Sequence, residues 1–553
     1  MDSAAGVASV VRFWSILTDR SNRFLDIWRS RRALVLDVLL ILSAGAAAAQ
    51  WYAHVRQGVT GPGFPLDDSW IHVQFGHNVA SGHGFSFNPG IPSSGSTAPL
   101  WTLLLAVPLR AGIGPIASAI GLGQVCLLIT ALSAMALARQ LTHSRAAGVL
   151  AGLAVVLAPR LVWAGLSGME VPLYAALVTS ALAVYVRALT RKDGVGALWG
   201  VLAGLAGWAR PETFMIVPLL VGHWWWTGAR DEHGGLTRRW WLAPALCAAV
   251  IAGFVAFNLW TGGRILPNTF YAKTYGMGTV LSLAEGRQWD ALKDAGRYPL
   301  RFLEEVTRWQ ATQLLWLFGG ALPGVLLLLG LLGNPAPAGG RLVIAVLLAM
   351  PVLKAMTAPE PGIMVHDGRY IAHLLVLAIV VCAAGFAGMY RLARPRWVVP
   401  ALAVAALAQL GAVVDRGAKV YAAEVKNIND LQLVTAEWLV RHTTPDARIA
   451  TNDIGALAFF TGRFIVDTEG LVTPEAIKPK RARKLAPFLE SQKPDLLVIF
   501  PEWYPELSSR TDILTEVAQF SAERVVAGGR TLVVYRMPWS RPGALRGITP
   551  PGH

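Results

Sequence analysis

The chain has 553 residues, of which 54% are hydrophobic and only 15% charged, against about 25% charged in a soluble protein. Apolar runs recur from residue 33 to residue 414, and only lipid satisfies so many of them, which excludes a soluble enzyme and a disordered chain alike. The net charge of +15 arrives as short basic clusters between these runs, the pattern of membrane topology; no nucleic-acid partner is expected.

In chain order, arginines from Arg12 to Arg32 precede the first run, 33–53, which is too long for a cleavable signal. Taken as spans, the runs place about eleven helices near 33–53, 115–138, 146–158, 171–189, 194–208, 213–227, 240–260, 310–332, 341–357, 370–390 and 397–414. Segments on the side of the N-terminus carry Arg139, Arg145, Arg187, Arg191, Lys192, Arg230, Arg238, Arg239, Arg341, Arg391, Arg394 and Arg396. Short loops on the other side carry Arg56, Arg160, Arg210 and Arg369. The positive-inside bias therefore predicts a cytoplasmic N-terminus and an extracytoplasmic C-terminal part in a multi-pass cell-membrane protein. Cys126, Cys247 and Cys382 all lie inside apolar runs and read as packing residues, not as a disulfide framework.

The expected fold is a polytopic α-helical membrane protein with a small C-terminal extracytoplasmic α/β domain. Residues 1–414 form the membrane domain, with outer loops 54–114 and 261–309; residues 415–553 form the outer domain and end in a disordered tail rich in Pro, Gly and Arg. In that domain the pattern predicts a helix over 424–441, strands at 448–451, 464–467, 495–500 and 531–536, and a basic helical stretch over 475–487. Trp503 and Tyr504 are candidates for stacking on sugars, and Lys478 to Lys484 for a lipid-facing or simply solvated surface.

The first outer loop opens with Asp67-Asp68 and stops at Gly82 and Gly84, which frames a helix. On it Asp67, Gln74 and Asn78 share one edge beside an apolar stripe of Ile71, Phe75 and Val79, the pattern of a helix lying at the membrane interface. Adjacent carboxylates at a membrane surface are either helix caps or a general base whose neighbour tunes its pKa. Other outer segments are GFSFNPGIPSSGSTAPLWTLLLA (84–106), GLSGMEVPL (165–173), GWARPETF (207–214), LPNTFYAKT (266–274), VHDGRYIAHL (365–374) and NDIGALAFFTGRFIVDTEGLV (452–472).

In order and wording these segments resemble the C-type (GT-C) superfamily of polytopic glycosyltransferases, most closely the group containing mycobacterial terminal arabinofuranosyltransferases. The resemblance implies transfer of a sugar, arabinofuranose in that group, from a polyprenyl-phosphate donor to a cell-envelope glycan or glycolipid on the extracytoplasmic face. It also implies that Asp67, with Asp68 beside it, is the catalytic base. His72 departs from the small or aromatic residue common in the family.

The residues suit that chemistry. A sugar on a lipid phosphate has an acidic leaving group that needs a cation more than a general acid, and the acceptor hydroxyl needs a carboxylate. Arg210, Arg264, Lys273 and Arg369 are the candidate phosphate contacts. His72, Glu170, Glu212, Asn268, Tyr271, His366 and Asp367 are the remaining candidates for substrate contact, although Arg210 and Glu212 could simply pair, and Glu170 could serve a helix terminus. His366 beside Asp367 falls short of a ligand set, so no cofactor or dedicated metal site is expected. A lipid-linked glycan flippase or transporter, or a glycan polymerase or ligase, is the alternative. Asp37 and Lys354 are the only clear charges within spans, and both sit near an end, where a midplane cargo site would not be.

Overall fold

The structure, a computed structural model, describes residues 31–191, 196–228, 239–274, 304–308, 310–314, 322–332, 337–357, 368–392, 397–523, 525–526 and 528–547. His366, Asp367 and most of the expected loop 261–309 lie outside the described residues.

Among those residues five helices are long and apolar enough to cross a bilayer: Arg31–Gln57, Pro115–Thr142, Val171–Thr190, Leu242–Gly262 and Arg369–Leu392. A pair bent by 56°, Arg145–Leu157 with Pro159–Leu166, makes a sixth if it is one span. The expected count of eleven is not confirmed. Ala197–Ala209 has 13 residues, so it rises about 20 Å against a hydrocarbon core of about 30 Å, and residues 315–321 of the expected span 310–332 lie outside the described residues. A further apolar helix, Pro99–Arg110, sits unexpectedly inside the first outer loop.

Helices approach closely where side chains are small. At Gly385 an added Cβ would lie 1.9 Å from the Leu326 carbonyl oxygen, a backbone-to-backbone contact that only glycine permits. At one end of the bundle Asp37 is buried between Arg139 and Arg145, with Arg145 Nη2 at 2.8 Å, and Arg391 donates to the Thr142 carbonyl at 3.0 Å. These are residues of the basic segments expected on the N-terminal side. Asp37, in a helix apolar enough to span, is thus a paired charge.

The expected outer domain contains a five-stranded sheet of β1 (Arg448–Thr451), β2 (Phe464–Asp467), β3 (Leu496–Ile499), β4 (Thr515–Ser521) and β5 (Thr531–Arg536), in the order β2-β1-β3-β5-β4. The first three are parallel; β5 runs antiparallel to β3 and to β4. Side chains alternate between two cores. Ile449, Ile465, Leu496 and Val498 face a cluster with Leu431, Leu439 and Leu457, whereas Ala450, Val466, Leu497 and Ile499 face Phe488 and Leu489.

Three features of this half differ from the expectations. The helix expected to end as a span at 414 runs from Val398 to Ile428, across the expected domain division, and continues through a π turn into Val434–His442. The basic stretch breaks at Arg483, whose φ is +53°, into Ile477–Arg481 and Leu485–Gln492. The expected disordered tail is pinned as far as Arg546. Arg541 Nη2 pairs with buried Asp495 at 2.7 Å, and backbone bonds tie Thr444 to Ala544 and Arg546 to His442.

The first cluster also contains Ile71, Phe75, Phe85 and Phe87 of the first outer loop. The Asp67–Ala80 helix is therefore not an interfacial helix with a wet polar edge. Gln74 and Asn78 donate to the Phe87 carbonyl at 3.0 and 2.8 Å, folding the loop back on the helix. The Asn88 side-chain amide then exchanges two 2.9 Å hydrogen bonds with the backbone of Ile465 on edge strand β2, which covers a sheet edge that would otherwise be open. Outer loop and outer domain share one core.

Candidate functional site

Asp67 and Asp68 occupy the first turn of the helix Asp67–Ala80, where a carboxylate is favoured by the helix dipole. Asp67 turns to a different helix. Its two oxygens accept from the backbone N–H groups of Gly455 and Ala456, both at 2.7 Å, at the start of Gly455–Thr461. A helix N-terminus is an anion site, and here the membrane domain fills it with its own carboxylate. Gly455 must be glycine, because a Cβ there would meet the Asp67 carbonyl oxygen at 2.2 Å. Burial and the charge of Asp453 push the Asp67 pKa well above the usual range, against the two N–H bonds. Asp453 is itself raised to about 6 by burial, and by the charge of Asp68, against a hydrogen bond from Gln432.

Asp68, one residue on, accepts from Arg369 Nη1 at 2.7 Å. Its side chain is 37% exposed while that of Arg369 is 4% exposed, so the pair has a dry half and a wet half.

From Arg369 a polar network crosses the end of the bundle. Arg369 Nη2 donates to the Tyr370 hydroxyl at 3.0 Å. Four cations surround the Tyr370 ring: Arg210, Arg369, Lys354 and Lys273 lie 4.9, 5.0, 5.2 and 6.0 Å from its centroid. Arg210 forks onto Glu212 at 3.2 and 2.9 Å and reaches Glu170 with its other nitrogen. Lys354 donates to the same Glu212 at 3.0 Å. Glu170 meets His72 Nε2 at 3.1 Å, and His72 Nδ1 meets the Ser96 hydroxyl at 3.2 Å, which lies 3.0 Å from Thr102.

Glu170, Arg210 and Glu212 are all buried. Burial alone would raise the Glu170 pKa, but Arg210 and His72 overcome it and hold the group at about 2. Burial likewise opposes ionisation of Glu212, yet Arg210 and Lys354 hold it well below the carboxylate range. A carboxylate that stays ionised only accepts hydrogen bonds, so the proton shared by Glu170 and His72 belongs to Nε2. The four cations face three paired carboxylates, Asp68, Glu170 and Glu212. Lys273 has no carboxylate partner among the described residues, and its ammonium stands 3.5 Å from the Tyr370 hydroxyl.

Of the candidates read from the sequence, Asp68, His72, Glu170, Arg210, Glu212, Lys273 and Arg369 meet in this one network. The Arg210–Glu212 pairing is real but belongs to the larger cluster. Arg264 is exposed and lies over the Tyr271 ring at 4.8 Å, away from these bonds. Asn268 is buried against Ser94, whose carbonyl accepts from its N–H at 3.0 Å.

Lys354, Tyr370 and Asp453 are members that sequence reasoning did not select. A lone cation inside an apolar run was the available signal for Lys354. Tyr370 and Asp453 carried none beyond lying in quoted segments. Among the described residues no group of three His, Cys, Asp or Glu side chains is arranged to hold a metal ion.

Residues 424–535 match DUF8728, a domain family of unknown function. No curated protein matches the chain. Among solved structures, ArnT from Cupriavidus metallidurans, bound to undecaprenyl phosphate, superposes with a TM-score of 0.59 at 13% identity, covering 91% of this chain and 99% of ArnT. The archaeal oligosaccharyltransferase AglB from Archaeoglobus fulgidus, in complex with an inhibitory peptide and a dolichol-phosphate, gives 0.54 at 13% identity, covering 91% of this chain and 75% of AglB. The oligosaccharyltransferase of the same organism with Zn and sulfate gives 0.52 at 13%, covering 83% and 68%. The chain shares the fold of these membrane enzymes over nearly its whole length.

Proposed function

We propose that the protein transfers a sugar from a polyprenyl-phosphate donor to a hydroxyl of a cell-envelope glycan or glycolipid, on the extracytoplasmic face. The observation that carries this reading is the Arg369–Asp68 pair at the edge of the cation cluster, one group suited to a departing phosphate and the other to an attacking hydroxyl. The shared fold with ArnT and AglB, solved with lipid phosphates, supports it. Arabinofuranose is the sugar to try first, on the resemblance to mycobacterial terminal arabinofuranosyltransferases.

Arg369 and Lys273 take the donor phosphate, and Arg210 and Lys354, locked by Glu170 and Glu212, add a fixed positive field behind them. Arrival of the phosphate competes with Asp68 for Arg369. The released Asp68 carboxylate removes the proton of the acceptor hydroxyl as its oxygen bonds to the anomeric carbon. The bond from that carbon to the phosphate oxygen breaks, and the lipid phosphate leaves with the electron pair. Asp67, with both oxygens held by backbone N–H groups, positions Asp68 and joins the two domains.

The test uses full-length protein in nanodiscs with polyprenyl-phosphate-linked arabinofuranose and a panel of other lipid-phosphate sugars. Asp68→Asn is expected to lower the rate of transfer by about 10²–10⁴-fold with donor binding kept within a few-fold. Asp67→Asn is expected to lower the unfolding midpoint as well as the rate. Normal transfer by Asp68→Asn, with transfer abolished in a fully stable Asp67→Asn, would return the base to Asp67. No transfer from any lipid-phosphate sugar by the wild type would overturn the reading.

A further inference from the structure

The outer sheet turns its strand ends toward the site. β1 is flanked by parallel β2 and β3. The helix Gly455–Thr461 that follows β1 packs on one face, and Leu485–Gln492, leading to β3, on the other. The carboxyl ends of β1 and β3 are therefore a topological switch point, where parallel sheets hold ligands. In this chain that point abuts Asp67, two residues of sequence from Asp453 through the bond to Gly455.

The side chains there are incompletely bonded. Asn452, immediately after β1, is 6% exposed, and neither Nδ2 nor Oδ1 has a hydrogen-bond partner among the described residues. Gln432 is 1% exposed; its Nε2 donates to Asp453 while its Oε1 has no partner among the described residues. Buried amides left without partners are costly, and a polar molecule reaching these two would complete them. Two amides and a carboxylate offer both donors and acceptors, the set that reads hydroxyl groups. Asp68 and Asp453 on this side repel an anion, in contrast to the cations around Tyr370.

Building on the transfer reading above, we infer that Asn452, Gln432 and Asp453 form the acceptor site, and that it takes a neutral, hydroxyl-rich sugar end with its reactive hydroxyl presented to Asp68. Donor and acceptor are sorted by charge: the phosphate goes to the membrane-domain cations and the uncharged glycan to the strand ends of the outer domain.

The experiment is binding, measured by saturation-transfer NMR on the full-length protein in nanodiscs. The probes are methyl glycosides and short oligosaccharides of arabinofuranose, galactofuranose and mannopyranose, with methyl glucuronide as an anionic control. Undecaprenyl phosphate is titrated separately. At least one neutral saccharide is expected to bind the wild type and the glucuronide to bind at least tenfold more weakly. Asn452→Ala should weaken the saccharide roughly tenfold and leave undecaprenyl phosphate within twofold. Asn452→Ser, which restores a hydroxyl, should fall between them and decides the matter if the alanine variant does not fold.

Absence of saccharide binding, unchanged binding in both variants, or equal binding of the glucuronide overturns the acceptor site. If undecaprenyl phosphate binds while the saccharides fail, this inference falls alone. If undecaprenyl phosphate itself does not bind the wild type, the donor reading falls.

Discussion

Glu170 is the residue on which the cation cluster turns. It is fully buried between Arg210 and His72, and removing one partner of a buried ion pair strands the other charge at a cost of about 3–5 kcal/mol. Glu170→Gln is therefore expected to lower the unfolding midpoint and, by freeing Arg210, to slow transfer; an unchanged midpoint would show that Arg210 is held by Glu212 alone. The acids of the site respond to pH in opposite directions. Glu170, lowered from 4.5 to about 2, contributes stability that is fully present above pH 4.5 and is lost as the pH falls toward 2. Asp453, raised from 3.8 to about 6, binds its proton more tightly when folded, so the stability it contributes is present below pH 3.8 and is lost as the pH rises through 6. Asp453→Asn, which keeps an oxygen for Gln432, should accordingly raise the unfolding midpoint at pH 7.5 and have little effect at pH 4. A gain of equal size at both pH values would assign the effect to packing.

Among elements, the decisive contact is the Asp67 helix against Gly455–Thr461. Trp70 wedges between Phe64, Phe459 and Phe460, with ring centroids 4.8, 5.2 and 4.6 Å away. Gly455→Ala would drive a methyl group into the Asp67 backbone and is expected to open this contact. Faster amide exchange across 455–461 with reduced transfer is the expected result, and unchanged exchange would show that the helix shifts freely. The Asp67–Ala80 helix was legible because two acids open it and two glycines follow it, and the four strands expected in the outer domain carry dense apolar runs. β4 was not legible, because TEVAQFS is an edge strand with mostly exposed side chains. The destination of Asp67 was not legible either. Its partners stand 388 and 389 residues away, and no local pattern records a bond of that range.

The molecule as a whole has two polar ends. One holds Asp37 with Arg139 and Arg145; the other holds the network from Asp68 to Lys354. Charge distribution in the sequence predicts opposite sides of the membrane for these ends, and the helix Arg369–Leu392 carries Arg369 at one and Arg391, bonded to Thr142, at the other. Sidedness is open to direct measurement because Cys126, Cys247 and Cys382 are all buried, so one added thiol is the only accessible one among the described residues. Trp503 is 48% exposed on the C-terminal domain. Trp503→Cys should react with a membrane-impermeant maleimide on intact spheroplasts, and labelling only after lysis would reverse the orientation.

The helix Val398–Ile428 has 31 residues and so measures about 46 Å, some 16 Å more than the hydrocarbon depth of a typical bilayer. It runs without a break into the turn that carries Gln432. If its first half is the span that the sequence predicts at 397–414, thicker or thinner acyl layers tilt the rod, and a tilt at its base carries the Gln432 end with it. On the proposed function, acyl-chain length would then act as a dial on the alignment of donor and acceptor.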